Sequence, residues 1–194
     1  LSISHELKTP IAATKLQLQT LIKHDLERDK QKELLNNALN ENNRLHKLVD
    51  NVLMANQIEN NNLSIQKEQL NLSELLENTV KRYFLEHLEK NHVTLTIEPN
   101  IIYEGDKELL PSIFINLIEN AIKYSFEDIK IEVILKKLNG NTVLEISDQG
   151  CGILDQEKET VFQKFFRSGS ENTRKTKGTG IGLFIVKSIC DLHQ

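Results

Sequence analysis

Apolar positions in the first third of the chain recur at alternating spacings of four and three. Leu7, Ile11, Thr14, Leu18 and Leu21 form one such seam, which predicts a helix with a narrow heptad-like stripe. The polar stretch 24–30 predicts a turn. A second stripe, Leu34, Leu35, Ala38, Leu45, Leu48, Val49, Val52 and Leu53, predicts a second helix reaching to about residue 60. Two helices with one narrow seam each bury little apolar surface alone. Pairing two such hairpins into a four-helix bundle solves that problem, so a homodimer is expected.

The period changes after the polar run Asn60-Asn61-Asn62, which reads as a hinge. Leu63 to Gln69 predicts a strand, and Ser73 a cap for a helix running to about Glu89, with Glu74 and Glu77 near its positive end. Val93, Leu95 and Ile97 alternate as a strand. Asp106 to Tyr124 predicts a helix with Pro111 just past its first turn. Ile129, Ile131, Val133 and Leu135 alternate again, Asn139-Gly140-Asn141 turns the chain, and Leu144, Ile146 and Asp148 share one face of the returning strand. Asp155 to Phe165 predicts a helix. A polar, glycine-containing loop, Ser168 to Thr179, leads to a last helix ending near Gln194. The expected fold class is α+β: a helical hairpin over 1–61, then an α/β two-layer sandwich over 62–194.

Composition sharpens this division. None of the eight glycines precedes Gly105, and six lie from Gly150 onward. A net charge of -4 gives no basic face for nucleic acid. Two cysteines, Cys151 and Cys190, are too few for a disulfide framework and fit a reducing compartment. No apolar run approaches the roughly 18 residues that span a bilayer. The chain opens at Leu1, inside a helical pattern, so it reads as a piece of a longer protein.

Four short motifs carry candidate chemistry. In Ser4-His5-Glu6-Leu7-Lys8-Thr9-Pro10, His5 stands one step off the seam, open to a partner, and Glu6 is placed to accept its ring proton. Pro10 cannot donate to the Glu6 carbonyl, which predicts a bend. In Asn116-Leu117-Ile118-Glu119-Asn120-Ala121-Ile122-Lys123-Tyr124, helical spacing gathers Asn116, Glu119, Asn120 and Lys123 on one arc. The asparagine oxygens suit Mg²⁺, Lys123 suits phosphate and Tyr124 a base. A solvated helix face fits that arc as well. In Asp148-Gln149-Gly150-Cys151-Gly152-Ile153, Asp148 is expected on the core side, where it needs a strong donor such as an adenine amine; a plain strand-exit turn fits too. In Lys177-Gly178-Thr179-Gly180-Ile181-Gly182-Leu183, exposed amides at a helix start suit an anion, although such a loop alone equally fits a helix cap.

Taken together and in this order, the motifs resemble the sensor histidine kinases of two-component signalling. SHELKTP is similar to the phospho-acceptor box, NLIENAIKYS to the asparagine box, and DQGCGI and KGTGIGL to two glycine boxes. The run Phe162-Gln163-Lys164-Phe165-Phe166-Arg167 is similar to the phenylalanine box. The resemblance implies a dimerisation and phosphotransfer hairpin followed by a Bergerat-type ATP-binding domain. On it, His5 accepts the γ-phosphoryl group of ATP, Glu6 is the base, and Thr9 assists dephosphorylation of a response regulator receiver domain. Asn120 holds Mg²⁺ with Asn116 close by, Lys123 contacts phosphate, Tyr124 lines the base and Asp148 accepts from the adenine amine. Gly150, Gly152, Ile153, Lys177, Gly178, Thr179, Gly180, Gly182 and Leu183 line the nucleotide; Phe162 and Phe165 anchor a lid, and Arg167 sits near the phosphates. An upstream sensor, a membrane anchor and a cytoplasmic position for this part are implied as well. The family continues past the last helix into a further glycine segment and a closing strand, so the ATP-binding part is expected to be clipped after Gln194.

Other ATPases of the Bergerat fold lack a histidine-bearing hairpin directly upstream. A non-enzymatic scaffold would be expected to have lost His5, Asn120, Asp148 or the glycines, and all are present.

Overall fold

The computed structural model describes residues 2–60, 62–168 and 178–193. Two long helices, α1 (Ser2–Lys23) and α2 (Arg28–Glu59), form an antiparallel hairpin. The turn is shorter than the sequence suggests: Asp29 and Lys30 already belong to α2, where Lys30 pairs with Glu33 at 2.8 Å. Pro10, Ala38 and Leu48 are buried in the hairpin. Ile11, Leu16, Leu18, Ile22, Leu35, Leu39 and Leu53 stay exposed. Part of this surface is a shallow apolar groove lined by Ile11, Thr14, Leu18, Ile22 and Leu45. One chain therefore covers only part of its own seam.

The rest of the described chain is α/β. Strand β1 (Glu68–Asn71) runs straight into α3 (Leu72–Glu89), and β2 (Val93–Ile97) and β3 (Ile102–Gly105) follow. Then come α4 (Leu110–Tyr124), β4 (Ile131–Leu138), β5 (Asn141–Asp148) and α5 (Gly182–Leu192). Strands β2, β4 and β5 form a mixed sheet with β4 in the centre, parallel to β2 and antiparallel to β5. A separate antiparallel pair joins β1 to β3. Alternation along β4 buries Ile131, Val133 and Leu135. They join one core with Leu76 and Val80 of α3, Ile118 of α4, and Ile185 and Ile189 of α5.

Several sequence expectations are corrected. The strand expected at 63–69 is displaced to 68–71, overlapping only at Glu68 and Gln69, and the partner strand β3 has no counterpart in the sequence reading. Asn71, not Ser73, caps α3, its side chain accepting from Glu74 N at 3.3 Å. Ser73 is buried instead, donating to Glu98 O and accepting from Ile101 N, which fixes the chain between β2 and β3. Helix α4 starts four residues later than expected, placing Pro111 in the first turn, where a missing N–H costs no helical bond. The residues ahead of it turn on Asp106, whose carboxylate accepts from Glu108 N and Leu109 N and, across the linker, from Gln66 N. Asp155 to Phe165 is not a helix but two short 3₁₀ turns, Asp155–Glu157 and Thr160–Phe162.

Candidate active site

His5 lies exposed on α1. Its neighbour Glu6 is mostly covered, with 15% of its side chain accessible, and its two oxygens have different partners. Oε2 accepts from Arg44 Nη2 of α2 at 3.2 Å. Oε1 accepts from Arg167 Nη1 at 3.4 Å and from the backbone N–H of Gly178 at 3.2 Å. Thr9 turns its hydroxyl back along the helix, donating to the His5 carbonyl at 3.0 Å.

Helix α4 presents Asn116, Glu119, Asn120 and Lys123 on its half-buried face, while Phe114, Ile118 and Ala121 face the core. Asn116 Nδ2 donates to Ser112 O at 2.8 Å, which fixes the amide and turns Oδ1 toward the start of α5. A Cβ on Gly182 would lie 2.6 Å from that oxygen, so glycine is what lets the two helices meet. The Asn120 amide has no hydrogen bond among the described residues. Lys123 Nζ reaches the Tyr124 hydroxyl at 3.2 Å and lies beside Gly178, where a side chain would collide with it. The arrangement fits a hard cation: two amides share one helix arc, one fixed with its oxygen toward Gly182 and the other without a hydrogen bond among the described residues.

The first glycine turn is stitched to the end of α4. Ser125 and Gly150 form an antiparallel bridge, and Cys151 N donates to Tyr124 O. A Cβ at Gly150 would strike the Tyr124 carbonyl. Asp148 pairs with buried Ile131 and so lies on the core face of the sheet, as expected, but at the end of the strand it is exposed, and its Oδ1 accepts from Gly150 N at 2.8 Å. That bond fixes the carboxylate in the turn and leaves Oδ2 without a hydrogen bond among the described residues. Gly152 adopts a φ of 68° in open space, and Ile153 is exposed beside it.

At the second loop, Gly180 takes a φ of 70° and its carbonyl accepts from Phe165 N at 2.9 Å. Phe165 itself holds a φ of 68°, a strained value for a bulky residue. Lys164 anchors the same segment to α2 through Glu59 at 2.6 Å and Asn56 at 3.3 Å. Phe162 and Phe165 remain partly exposed. Thr179, Gly182 and Leu183 are half-buried at the start of α5, and Lys177 lies outside the described residues. A further tie, Lys47 Nζ to Glu119 at 2.6 Å, joins α2 to α4. The acceptor box and the glycine loop of one chain therefore meet at the Glu6 carboxylate.

Residues 105–194 match the family model described as histidine kinase-, DNA gyrase B-, and HSP90-like ATPase, and residues 2–61 match the His Kinase A (phospho-acceptor) domain. The solved structure of the mycobacterial sensor histidine kinase MprB is 30% identical, with 66% of this chain and 80% of that one covered and a TM-score of 0.55. The chain belongs to the sensor histidine kinases. The histidine kinase AdeS of Acinetobacter baumannii is 26% identical to this kinase, covering 95% of it and 85% of that chain at a TM-score of 0.67. Drug sensory protein A of Synechocystis is 32% identical over the whole of this kinase, which spans 31% of that protein. The kinase spans 22% to 50% of the length of curated relatives that it matches.

Three residues of this kinase's site escape sequence reading. Arg44 ties the two helices of the hairpin together, and Lys47 and Lys164 join the hairpin to the α/β part, yet in sequence they are ordinary charged positions, Arg44 and Lys47 on the polar side of a helix. Their partners lie 38, 72 and 105 residues away, and no local pattern announces such pairs.

Proposed function

We propose that this kinase uses Mg-ATP to phosphorylate His5 and then passes the phosphoryl group to an aspartate of a response regulator receiver domain. One observation supports the reading most: Glu6, the neighbour of His5, accepts from the Gly178 N–H, and Gly178 lies against Lys123. The proton acceptor and the phosphate-facing loop are thereby adjacent within one chain.

In the reaction, a ring nitrogen of His5 attacks the γ-phosphorus. The N–P bond forms as the bond to the β-phosphate oxygen breaks, and ADP leaves with the electron pair. Glu6 takes the ring proton. Lys123 and the amides at Gly178 offset phosphate charge, so catalysis is mostly positioning and neutralisation. Asn120 and Asn116 would hold Mg²⁺, which supplies charge neutralisation to the phosphates when bound. Asp148 Oδ2 accepts from the adenine amine, with Tyr124 beside the base. Residues 62–194 form the nucleotide-binding unit and 1–61 the phosphotransfer hairpin, whose uncovered apolar stripe is closed by a second copy.

Thr9 is proposed to aid dephosphorylation of the regulator. Its hydrogen is directed to the His5 carbonyl, which leaves the oxygen lone pairs to hold a water. Thr9→Ala is expected to slow regulator dephosphorylation while autophosphorylation persists. Equal loss of both activities would make Thr9 a purely structural residue. The kinase reading itself is tested by incubation with labelled ATP, followed by acid and base treatment of the adduct, with phosphate expected to be lost in acid and retained in base.

A further inference from the structure

We propose that Arg44 is a positioning residue for phosphoryl transfer, holding the Glu6 carboxylate beside His5 from within the hairpin. The inference rests on the reading that Glu6 takes the proton of His5.

The division of the Glu6 oxygens carries it. Oε1 is held by Arg167 and the Gly178 N–H, both of which belong to the nucleotide-facing segments. Oε2 is held by Arg44, which belongs to α2 and packs alongside α1. A γ-phosphate carries more charge than a carboxylate and offers three acceptor oxygens, so it competes for Arg167 and the Gly178 amide. When those donors turn to phosphate, Oε1 is freed to receive the ring proton. Oε2 keeps its partner, because Arg44 does not depend on the nucleotide loop. Without that second anchor, a released glutamate side chain would spread over its rotamers and rarely face the imidazole.

Arg44 is itself oriented. Glu41, one turn earlier on α2, places Oε2 3.6 Å from Arg44 Nη1, and that buried oxygen has no hydrogen-bond partner among the described residues. The guanidinium thus lies between two carboxylates, with one nitrogen toward each. A planar fork with fixed donor directions serves both at once, whereas a lysine ammonium offers a single centre. The plainer alternative is an interhelical ion pair that only fastens the hairpin, and the two roles separate in a double-mutant cycle.

The experiment compares the full chain as wild type, Arg44→Ala, Arg44→Lys, Glu6→Gln and the Arg44→Ala/Glu6→Gln pair. It follows kcat and the KM for ATP of His5 labelling, with oligomeric state checked by size. Arg44→Ala should lower kcat by roughly tenfold or more while the KM for ATP stays within about twofold. Arg44→Lys should recover part of the rate. In the Glu6→Gln background, Arg44→Ala should cost nothing further. An equal loss in both backgrounds, a KM that moves in step with kcat, or an unchanged single variant would each overturn the role. If Arg44→Ala fails to fold, Arg44→Lys, alone and combined with Glu6→Gln, carries the same cycle. Absence of label on wild-type His5 removes the kinase reading itself, whereas a labelled wild type with independent losses removes only the role of Arg44.

Discussion

The hairpin and the α/β part solve the burial problem in opposite ways. In the α/β part, Leu76, Val80, Val133, Leu135, Ile185 and Ile189 are fully buried by partners from the same chain. In the hairpin, Ile11 is 51% and Ile22 84% exposed, and the groove between them is apolar. The first region buries a continuous core within the chain, to which α2 contributes Ala55. The second is complete only when something covers its stripe, and its second helix also carries the ion pairs that reach the nucleotide-binding face. Most of the buried core therefore lies in one half, and the acceptor histidine in the half whose apolar stripe one chain leaves largely uncovered.

Truncating each apolar surface sharpens this contrast. Leu135→Ala, at the centre of the sheet, should destabilise the α/β part by about 2–5 kcal/mol. Ile11→Ala should change the stability of a single hairpin by less than about 0.5 kcal/mol. Its effect should appear instead as weaker self-association and a Tm that depends on protein concentration. Denaturant unfolding of both variants at two concentrations checks the pair. An Ile11 variant as unstable as the Leu135 variant, at every concentration, would erase the distinction.

Chemistry offers a second way to break it. Asn120→Asp replaces an amide without a hydrogen bond among the described residues by a charge and should reduce labelling roughly hundredfold, with thermal unfolding of the α/β part nearly unchanged. Unaltered turnover would mean that the asparagine arc is merely solvated. Asp148 should give a smaller effect. A carbonyl at the place of the adenine amine meets the carboxylate acceptor to acceptor, costing about 1–3 kcal/mol. ATP should therefore outcompete GTP by about tenfold or more in a binding competition, and equal affinities would remove Asp148 from base recognition.

The smallest expected effect is on pH dependence. Burial pushes the Asp106 carboxyl up, but three backbone N–H donors, from Gln66, Glu108 and Leu109, together with His193 hold it below its ordinary value of 3.8. Because the folded group is the stronger acid, its contribution is present above that value and is lost as pH falls below it. Asp106→Asn should lower Tm near neutral pH, and the gap from wild type should narrow on acidification toward pH 3. A gap that widened in acid would reverse the assignment. This linkage belongs to the joint where the linker meets α4, so it should leave the hairpin untouched.

Local grammar made much of this fold legible. The four-and-three spacing from Leu7 to Leu21 and the alternation from Ile129 to Leu135 each report a neighbour in sequence, and the corresponding helix and strand are present. The asparagine arc followed from helical spacing alone. What was missed depends on distant partners. Ile102 to Gly105 is a strand because Glu68 to Asn71 lies beside it. Ser73 resembles a helix cap in sequence, but the backbone between β2 and β3 claims its hydroxyl. The segment around Phe162 and Phe165 has helical spacing of apolar residues, yet Gly180 and α2 hold it in another shape. Glu6 was legible as a neighbour of His5, whereas its bond to Arg44 was not.

The central claim is that His5 is the phospho-acceptor of an ATP-dependent kinase, and labelling of one substituted protein tests it most directly. Wild type and His5→Gln are incubated with γ-labelled ATP and Mg²⁺, and nucleotide binding is measured on the same preparations. Wild type should acquire acid-labile, base-stable label, while His5→Gln should bind ATP with similar affinity and acquire none. Acid-labile, base-stable phosphate on the His5→Gln protein would contradict the assignment.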